Sequence, residues 1–210
     1  MSATSPTAAT ATNNANTTNT GIAPQVAVVV ASTRPNRHGP TIGQWVIDEL
    51  AARTDLDVSL IDLAAVGLPL LDEPEPAQSG VYVHAHTRAW SALVDAADGF
   101  VFVTPEHNRA MPASLKNALD CLYGEWAHKP VGFVSYSGGS SGGVRAVEMT
   151  RQVVSTLSML PINEMVNLAR IDSLVVDGTL RAPAGATDML SGLADSLAAH
   201  FAASRLLRSR

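Results

Sequence analysis

The sequence predicts an α/β fold with a doubly wound, mainly parallel sheet, and three observations support this prediction. Short apolar, β-branched runs recur along the chain without an alternating polar face, which is typical of strands covered by helices on both sides. Segments with helical apolar spacing separate these runs. Polar loops rich in glycine or proline follow several of them directly. Such an alternation favours parallel crossover units over an all-α or all-β fold.

Five strands and the helices between them follow from these patterns. We predict strands over Val26–Val30, Val58–Asp62, Gly99–Val103, Val131–Tyr136 and Ile162–Leu168. Helices are predicted from the apolar sets Ile42, Val46 and Leu50; Trp90, Leu93, Val94 and Ala97; Leu115, Ala118, Leu119 and Leu122; and Leu190, Leu193, Leu197 and Phe201. A further helix is expected to end near Leu157.

Four features outside these runs carry weaker signals. The proline-rich connection Gly67–Gly80 is predicted to be neither helix nor central strand. The run Leu174–Val176 is either an edge strand or a loop. Trp45 falls on a core-facing helical position, whereas Trp126 follows a helix and is expected at the surface, as a subunit contact or by chance.

Composition limits the classes of partner. The chain has 210 residues, enough for one domain with a sizeable core, and its formal charge of −5 favours neither nucleic acid nor an anionic membrane. Its one cysteine, Cys121, excludes an internal disulfide and fits a reducing compartment such as the cytoplasm. No apolar run is long enough for a membrane span, and no spacing suggests a metal site.

The first residues differ in composition from the rest. Residues 1–23 are rich in alanine, threonine, asparagine and serine, and they have no basic residue. We predict a disordered tail there, because this stretch cannot bury enough apolar surface to offset its ordering, and it lacks the pattern of a secretory signal. The folded domain is predicted to span 24–205.

The loop from Ser32 to Ile42 joins the first strand to a helix. Backbone N–H groups at a helix start lack helical partners, and the helix dipole favours an anion there. Ser32 and Thr41 add hydroxyl donors, and Arg34 and Arg37 add charge. This is a candidate phosphate cradle, although the Walker and dinucleotide glycine signatures are missing. A solvated basic loop with an ordinary helix cap is the alternative.

Two later loops follow strands in the same way. Thr104–Pro112 is stiffened by prolines and could present Asn108 and His107 to a polar heterocycle. The alternative is an ordinary capping turn in which Asn108 bonds to its own backbone. Ser137–Gly143 has four glycines and three serines, so its backbone can approach a ligand closely, or it is a plain flexible turn. Arg145, at the next helix start, sits poorly with the helix dipole unless it has an anionic partner.

The three loops together resemble the NADPH-dependent FMN reductase family, over roughly Gln25 to Val166. The motifs that carry the resemblance are Ser32-x-Arg34; Pro105-Glu106-x-Asn108-x-x-x-Pro112-x-x-Leu115-Lys116-Asn117-Ala118-x-Asp120; and Ser137-x-Gly139-x-x-Gly142-Gly143-x-Arg145-Ala146. The resemblance implies a flavodoxin-like three-layer α/β/α sandwich. Its five-stranded parallel sheet would have the order 2-1-3-4-5, with flavin mononucleotide (FMN) where the strand order reverses.

The resemblance also implies roles for particular residues. In the first loop, the residues that would hold the FMN phosphate or lie beside it are Ser32, Arg34, Arg37, Gly39, Pro40, Thr41 and Ile42. The isoalloxazine ring would be bordered by Pro105, Glu106, His107 and Asn108. Its other side would be approached by Ser137, Gly138 and Gly139.

Two residues depart from the family pattern. His107 stands where the family usually has tyrosine, and its smaller ring can titrate near neutral pH, which makes it a possible modulator of the flavin. Arg37 stands where many members have serine, so a charge would replace a hydroxyl near the phosphate.

The function implied is transfer of electrons from NADPH through bound FMN to a small acceptor such as a quinone or free flavin. Flavin N5 would take the hydride, so no catalytic protein residue is expected. The family is usually dimeric or tetrameric, which implies a homodimer or homotetramer. The expected location is the cytoplasm. A flavodoxin-type electron carrier, or a non-catalytic protein that has lost FMN, are the alternatives.

Overall fold

A computed structural model describes residues 23–209 of the chain. Apart from Ala23, the tail predicted over 1–23 lies outside the described residues. Five strands form the main sheet: β1 (Gln25–Val30), β2 (Asp57–Asp62), β3 (Gly99–Pro105), β4 (Pro130–Tyr136) and β5 (Leu160–Leu168). All neighbouring pairs are parallel, in the order β2-β1-β3-β4-β5, which confirms the predicted fold.

Seven α-helices accompany the sheet in the described part of the chain. They are α1 (Gly39–Leu50), α2 (Leu63–Val66), α3 (Ala85–Ala96), α4 (Ala113–Asp120), α5 (Val144–Thr156), α6 (Ile171–Leu174) and α7 (Ala186–Arg208). Single 3₁₀ turns cover Ala77–Ser79 and Gly124–Trp126. Two short strands, β6 (Val175–Val176) and β7 (Thr179–Leu180), form a separate antiparallel hairpin. Over residues 23–209, no helix is long and apolar enough to cross a bilayer.

Helices cover the sheet on both faces and create two apolar cores. Buried side chains of α1 and α7 pack on one face, and those of α3, α4 and α5 pack on the other. β3 and β4 are buried along their whole length, which explains their uninterrupted apolar character. An aromatic cluster fills the second core, and its members are Trp90, Phe100, Phe102, Trp126 and Phe133.

The burial of Trp126 and the exposure of Leu93 differ from what the sequence predicts. Trp126 is only 1% exposed, and its indole N–H donates to the Leu119 carbonyl, so the expectation of a surface position was wrong. Its 3₁₀ turn folds the ring back into the aromatic cluster. Leu93 is 45% exposed because α3 turns Trp90 and Val94 to the core instead. Trp45 is half-buried against its core.

Three segment boundaries also differ from expectation. The connection 67–80 contains a 3₁₀ turn at Ala77–Ser79, which starts after Pro76 and ends at the left-handed Gly80. The 174–176 run is neither an edge of the main sheet nor a plain loop, because it ends α6 and forms the hairpin strand β6. β5 begins two residues before the predicted Ile162.

The register of the sheet brings three strand ends to one edge. Val30, the last residue of β1, pairs with Val103 of β3, and Val103 pairs with Val134 of β4. β3 and β4 then continue together to Pro105 and Tyr136, which are also paired. The loops after β1, β3 and β4 therefore leave the sheet side by side. The strand order reverses between β1 and β3, where sheets of this kind bind ligands.

The turn into α5 depends on Gly143, whose φ is 87°. A Cβ at this position would lie 2.8 Å from the Tyr136 backbone N and 2.9 Å from the Ser135 Cβ. The glycine therefore allows the start of α5 to lie directly against the end of β4.

Replacing Gly143 by alanine is expected to destabilise the protein more than replacing Gly185 by alanine. The two φ angles, 87° and 81°, are similar, so a Cβ costs each site about 1–2 kcal/mol of backbone strain. Only at Gly143 does the Cβ also overlap neighbouring atoms, whereas nothing lies within 4 Å of it at Gly185. We expect G143A to lose about 1–3 kcal/mol more than G185A in the free energy of unfolding. Equal losses in urea denaturation would contradict this explanation.

Candidate functional site

A cavity of about 190 Å³ opens at the edge where the three loops leave the sheet. It lies at the carboxyl ends of β1, β3 and β4, beside the reversal of strand order. Its walls include residues of all three loops that the sequence singled out. The lining residues are Ser32, Arg34, Arg37, His38, Pro105, Glu106, His107, Tyr136, Ser137, Gly138, Ile171 and Asp172.

Six predicted site residues do not line this cavity: Gly39, Pro40, Thr41, Ile42, Asn108 and Gly139. The Ile42 side chain is fully buried in a core, and its N–H donates to the His38 carbonyl. The Thr41 hydroxyl lies 3.4 Å from the Gly178 carbonyl, to which it donates. These two residues therefore shape the start of α1 rather than the cavity wall.

The start of α1 closes one side of the cavity. The helix begins at Gly39 with Pro40 in its first turn, and no side chain caps it. A Cβ on Gly39 would lie 2.7 Å from Val30 Cγ1 and 3.1 Å from the Tyr136 hydroxyl oxygen. The glycine thus allows the positive end of the helix dipole to lie against the ends of β1 and β4.

The two arginines of the first loop have different surroundings. Arg37 donates from Nη2 to Asp62 Oδ2 at 2.5 Å, and its buried Nε has no hydrogen-bond partner among the described residues. Arg34 is exposed and makes no hydrogen bond or ion pair to any part of the chain that the structure describes. Arg34 therefore presents an uncompensated positive charge to the cavity.

The second loop forms a tight reverse turn. Backbone hydrogen bonds of 2.9 Å join His107 and Ala110 in both directions, and Asn108 and Arg109 both have positive φ, 51° and 67°. Such a backbone is uncommon for residues other than glycine and is found where a loop must hold a set shape. Backbone bonds, rather than the Asn108 side chain, close the turn.

The surroundings of His107 lower the pKa of its imidazole. Burial lowers the pKa of His107 below its usual 6.5, and the positive charge of Arg34 lowers it further. A lowered pKa favours the neutral imidazole, and the role of His107 as a modulator of the flavin stays a prediction. The effect also shows that the first and second loops face each other across the cavity.

In the third loop, some polar groups bond within the chain and two backbone N–H groups do not. The Ser137 hydroxyl donates to the Gly139 carbonyl at 3.1 Å, and the Ser137 carbonyl accepts from Ile171 N–H at 3.0 Å. By contrast, the N–H groups of Gly138 and Gly139 donate to no carbonyl or side chain within residues 23–209. These N–H groups are available to a ligand with acceptor atoms.

Glu106 joins the second loop to the third. Its side chain is 8% exposed and accepts from Arg145 Nη1 at 2.8 Å, from Arg145 N–H at 3.2 Å and from the Ser141 hydroxyl at 3.2 Å. Burial acts to raise the pKa of Glu106, but these hydrogen bonds outweigh it and hold the pKa below 4.5. Glu106 is the anionic partner that Arg145 required at its helix start.

Four lining residues were missed by the sequence reasoning: His38, Tyr136, Ile171 and Asp172. His38 Nε2 lies 2.9 Å from Asp172 Oδ1, which joins the first loop to the start of α6. His38 stood inside the loop already singled out and could have been included. The positions of the other three depend on strand register and on α6, which no local sequence pattern predicts.

A larger depression of about 410 Å³ lies elsewhere, beside α3. Its lining includes Asp95 and Glu125 but no basic residue. The Glu125 carboxylate already accepts hydrogen bonds from Ser91 at 2.7 Å and Tyr82 at 3.0 Å. Its acidic wall does not suit an anion, so the edge cavity is the better candidate site.

The fold is that of a flavodoxin-like α/β protein, and the cavity lies at the edge where such sheets bind ligands. A model of the NADPH-dependent FMN reductase family matches residues 24–172. An NAD(P)H-dependent FMN reductase of Schizosaccharomyces pombe is 40% identical over 161 residues, which cover 76% of this chain and 80% of that protein. A quinone reductase of Pseudomonas putida is 35% identical over 142 residues, covering 64% and 71% respectively.

Solved structures show the same architecture. The flavoenzyme FerB, an NAD(P)H:(acceptor) oxidoreductase of Paracoccus denitrificans, superposes with a TM-score of 0.65 at 19% identity, covering 85% of this chain and 97% of that one. This similarity bears on the fold alone. The chain belongs to the NADPH-dependent FMN reductase family. It is an oxidoreductase of that kind, and the family's description names NADPH and FMN as the molecules its members use.

Acid should remove the stabilisation that Glu106 provides. Because its pKa in the folded protein lies below 4.5, the ionised carboxylate stabilises the fold above that pH, and the stabilisation is lost as the pH falls through the lowered pKa. At pH 7 we expect E106Q to be about 1 kcal/mol less stable than wild type, a modest value because Arg145 is 50% exposed.

The measurement is the free energy of unfolding of both proteins from pH 7 downwards. The difference should shrink below pH 4.5. Glu75→Gln, which removes an exposed carboxylate without a hydrogen bond to the described residues, is the control. A difference that stays constant down to about pH 3 would show that the carboxylate charge is not the cause.

Proposed function

We propose that this protein holds FMN in the edge cavity and passes electrons from NADPH or NADH to a small acceptor such as a quinone or free flavin. The observation that carries the proposal is the meeting of three loops around one cavity at the reversal of strand order. When bound, FMN supplies the redox chemistry by taking a hydride from the nicotinamide and passing electrons to the acceptor.

The first loop suits the phosphate of FMN. Arg34 offers a charge without a protein partner, the buried Ser32 offers a hydroxyl, and the uncapped start of α1 adds the helix dipole. Arg37 lies in the same wall, although Asp62 offsets part of its charge. These groups would anchor the dianionic end and thereby fix the position of the ring.

The other two loops suit the ring. The Pro105–His107 segment forms one wall with a backbone locked by the tight turn, and the N–H groups of Gly138 and Gly139 have no internal partners. Such donors would hydrogen-bond the polar rim of the isoalloxazine and stabilise negative charge on it. The imidazole of His107, whose lowered pKa favours the neutral form, would contribute a flat surface beside the ring, where it would modulate acceptor binding.

The volume of the cavity suggests that the protein acts as an oligomer. Small-molecule sites usually enclose roughly 300–1,000 Å³, so a cavity of about 190 Å³ leaves much of an FMN uncovered. We propose a cytoplasmic homodimer or homotetramer in which a second subunit covers the rest of the flavin. A monomer in light scattering of the FMN-loaded protein would contradict this assembly.

Turnover separates the proposed enzyme from its two alternatives. The FMN-loaded protein should oxidise NADPH steadily with a quinone present, on the order of 1 s⁻¹ or faster. Parallel assays with NADH and with free flavin would define the donor and the acceptor. Flavin-stripped protein is the control. An electron carrier would bind FMN without oxidising NADPH, and a protein that has lost its flavin would show no flavin absorbance after incubation with FMN.

Arg34→Ala should weaken FMN binding by roughly tenfold or more, because it removes the unpaired charge nearest the proposed phosphate position. Combining it with Ser32→Ala should weaken binding further. Arg208→Ala is a charge-matched control, since Arg208 pairs at 2.7 Å with Asp98, next to β3 at the opposite edge of the sheet. Titration of flavin fluorescence would measure each affinity. Unchanged FMN retention in the double variant would refute the phosphate assignment.

A further inference from the structure

We propose that the Tyr136 hydroxyl is an additional ligand of the FMN phosphate, contributed by the end of β4 rather than by the first loop. The inference rests on the proposed flavin site and adds a residue that the family motifs do not include. The phosphate pocket would then be formed by the loop after β1 together with the last residue of β4. It would also help the protein to discriminate FMN from riboflavin, which lacks the phosphate.

The position of the hydroxyl supports this role. Tyr136 is the last residue of β4, is 4% exposed and lines the edge cavity together with Ser32, Arg34 and Arg37. A Cβ built on Gly39, the first residue of α1, would lie 3.1 Å from the hydroxyl oxygen. The hydroxyl therefore lies at the start of a twelve-residue helix, where an anion is favoured.

The lack of an internal hydrogen-bond partner for the Tyr136 hydroxyl favours a ligand at this position. Its oxygen is buried and has no hydrogen-bond partner among the described residues. Ser32 lies close enough to lower the pKa of Tyr136 as a hydrogen-bond partner would, but the two hydroxyls do not meet the geometry of a hydrogen bond. A buried, unsatisfied polar group is costly, so its presence in a cavity wall calls for a partner.

The second unsatisfied group in the wall indicates the chemistry of that partner. Within residues 23–209, three buried side-chain polar atoms lack partners, namely Arg37 Nε, Tyr136 Oη and Ser204 Oγ. The first two line the same cavity, whereas Ser204 lies on α7. Arginine Nε can only donate, and the tyrosine hydroxyl can donate beside it. Two donors near the unpaired Arg34 fit a group that carries several acceptor oxygens and negative charge.

The protonation state of Tyr136 is consistent with a donor. Burial raises the pKa of Tyr136 to about 12, although Ser32, Arg37 and Arg34 act in the opposite direction. The hydroxyl therefore keeps its proton at neutral pH and can donate it in a hydrogen bond to a phosphate oxygen.

The test is Tyr136→Phe in the full chain, stripped of flavin and titrated separately with FMN and riboflavin by fluorescence quenching. We expect FMN to bind roughly ten- to a hundredfold more weakly, because one hydrogen bond to a charged group is lost. Riboflavin affinity should not change. Ser204→Ala is the matched control, since it removes an unsatisfied buried hydroxyl far from the cavity wall and should change neither affinity.

Thermal melting of the flavin-free proteins provides a second measurement. Removing an unsatisfied buried oxygen should leave Y136F at least as stable as wild type, while FMN should raise its melting temperature less. If Y136F does not fold, Tyr136→Met serves for the same titrations. Equal FMN affinity in wild type and variant, or equal weakening of FMN and riboflavin, would overturn the role of Tyr136 while leaving the flavin site intact. If wild type binds no FMN, the proposed function fails as well.

Discussion

The close approach of two helix starts to the strand ends is the constraint on which the cavity depends. A Cβ on Gly39 would meet Val30, and one on Gly143 would meet the backbone of Tyr136, both at less than 3 Å. Without these glycines, α1 and α5 would have to withdraw from the sheet edge. Their closeness brings the dipole of α1 to the cavity, and it brings the N–H of Arg145, in the first turn of α5, within hydrogen-bond distance of Glu106.

The charges at this edge are divided between holding the loops and facing the cavity. Arg145 is paired with Glu106, and this pair fastens the tight turn to the glycine loop. Arg37 is paired with Asp62 at the end of β2. Arg34 alone among these arginines lacks a carboxylate partner within the described residues. The structure therefore keeps its geometry with internal pairs and leaves the charge of Arg34 available to an incoming anion.

The sequence predicts the strands and the three loops well because their signals are local. β3 and β4 are recognisable as uninterrupted apolar runs, and the glycine loop directly follows β4. The environment of residues that contact distant parts of the chain is harder to predict from the sequence. Trp126 is buried by rings from other elements, and the partner of Arg145 comes from 39 residues earlier in the chain.

Tyr136 illustrates the same limit at the site itself. In the sequence it is the last apolar-looking residue of a strand, and alternation shows only which face of the sheet it shares. Whether its hydroxyl meets the core or the cavity depends on the start of α1, which Gly39 brings within contact of the oxygen. The sequence could therefore indicate the loop that we propose binds the phosphate, but not the strand residue beside it.

The opposed positions of Arg34 and His107 clarify what the histidine can do. Burial is the larger cause of its lowered pKa, and the charge of Arg34 is the smaller one. An anion bound beside Arg34 would offset the smaller cause and leave the larger one in place, so the pKa of His107 would stay lowered. A lowered pKa favours the neutral imidazole, which suits a flat ring beside the flavin. The unpaired charge of Arg34 lies in the first loop, where the phosphate is proposed to bind, and Glu106 of the second loop is paired with Arg145.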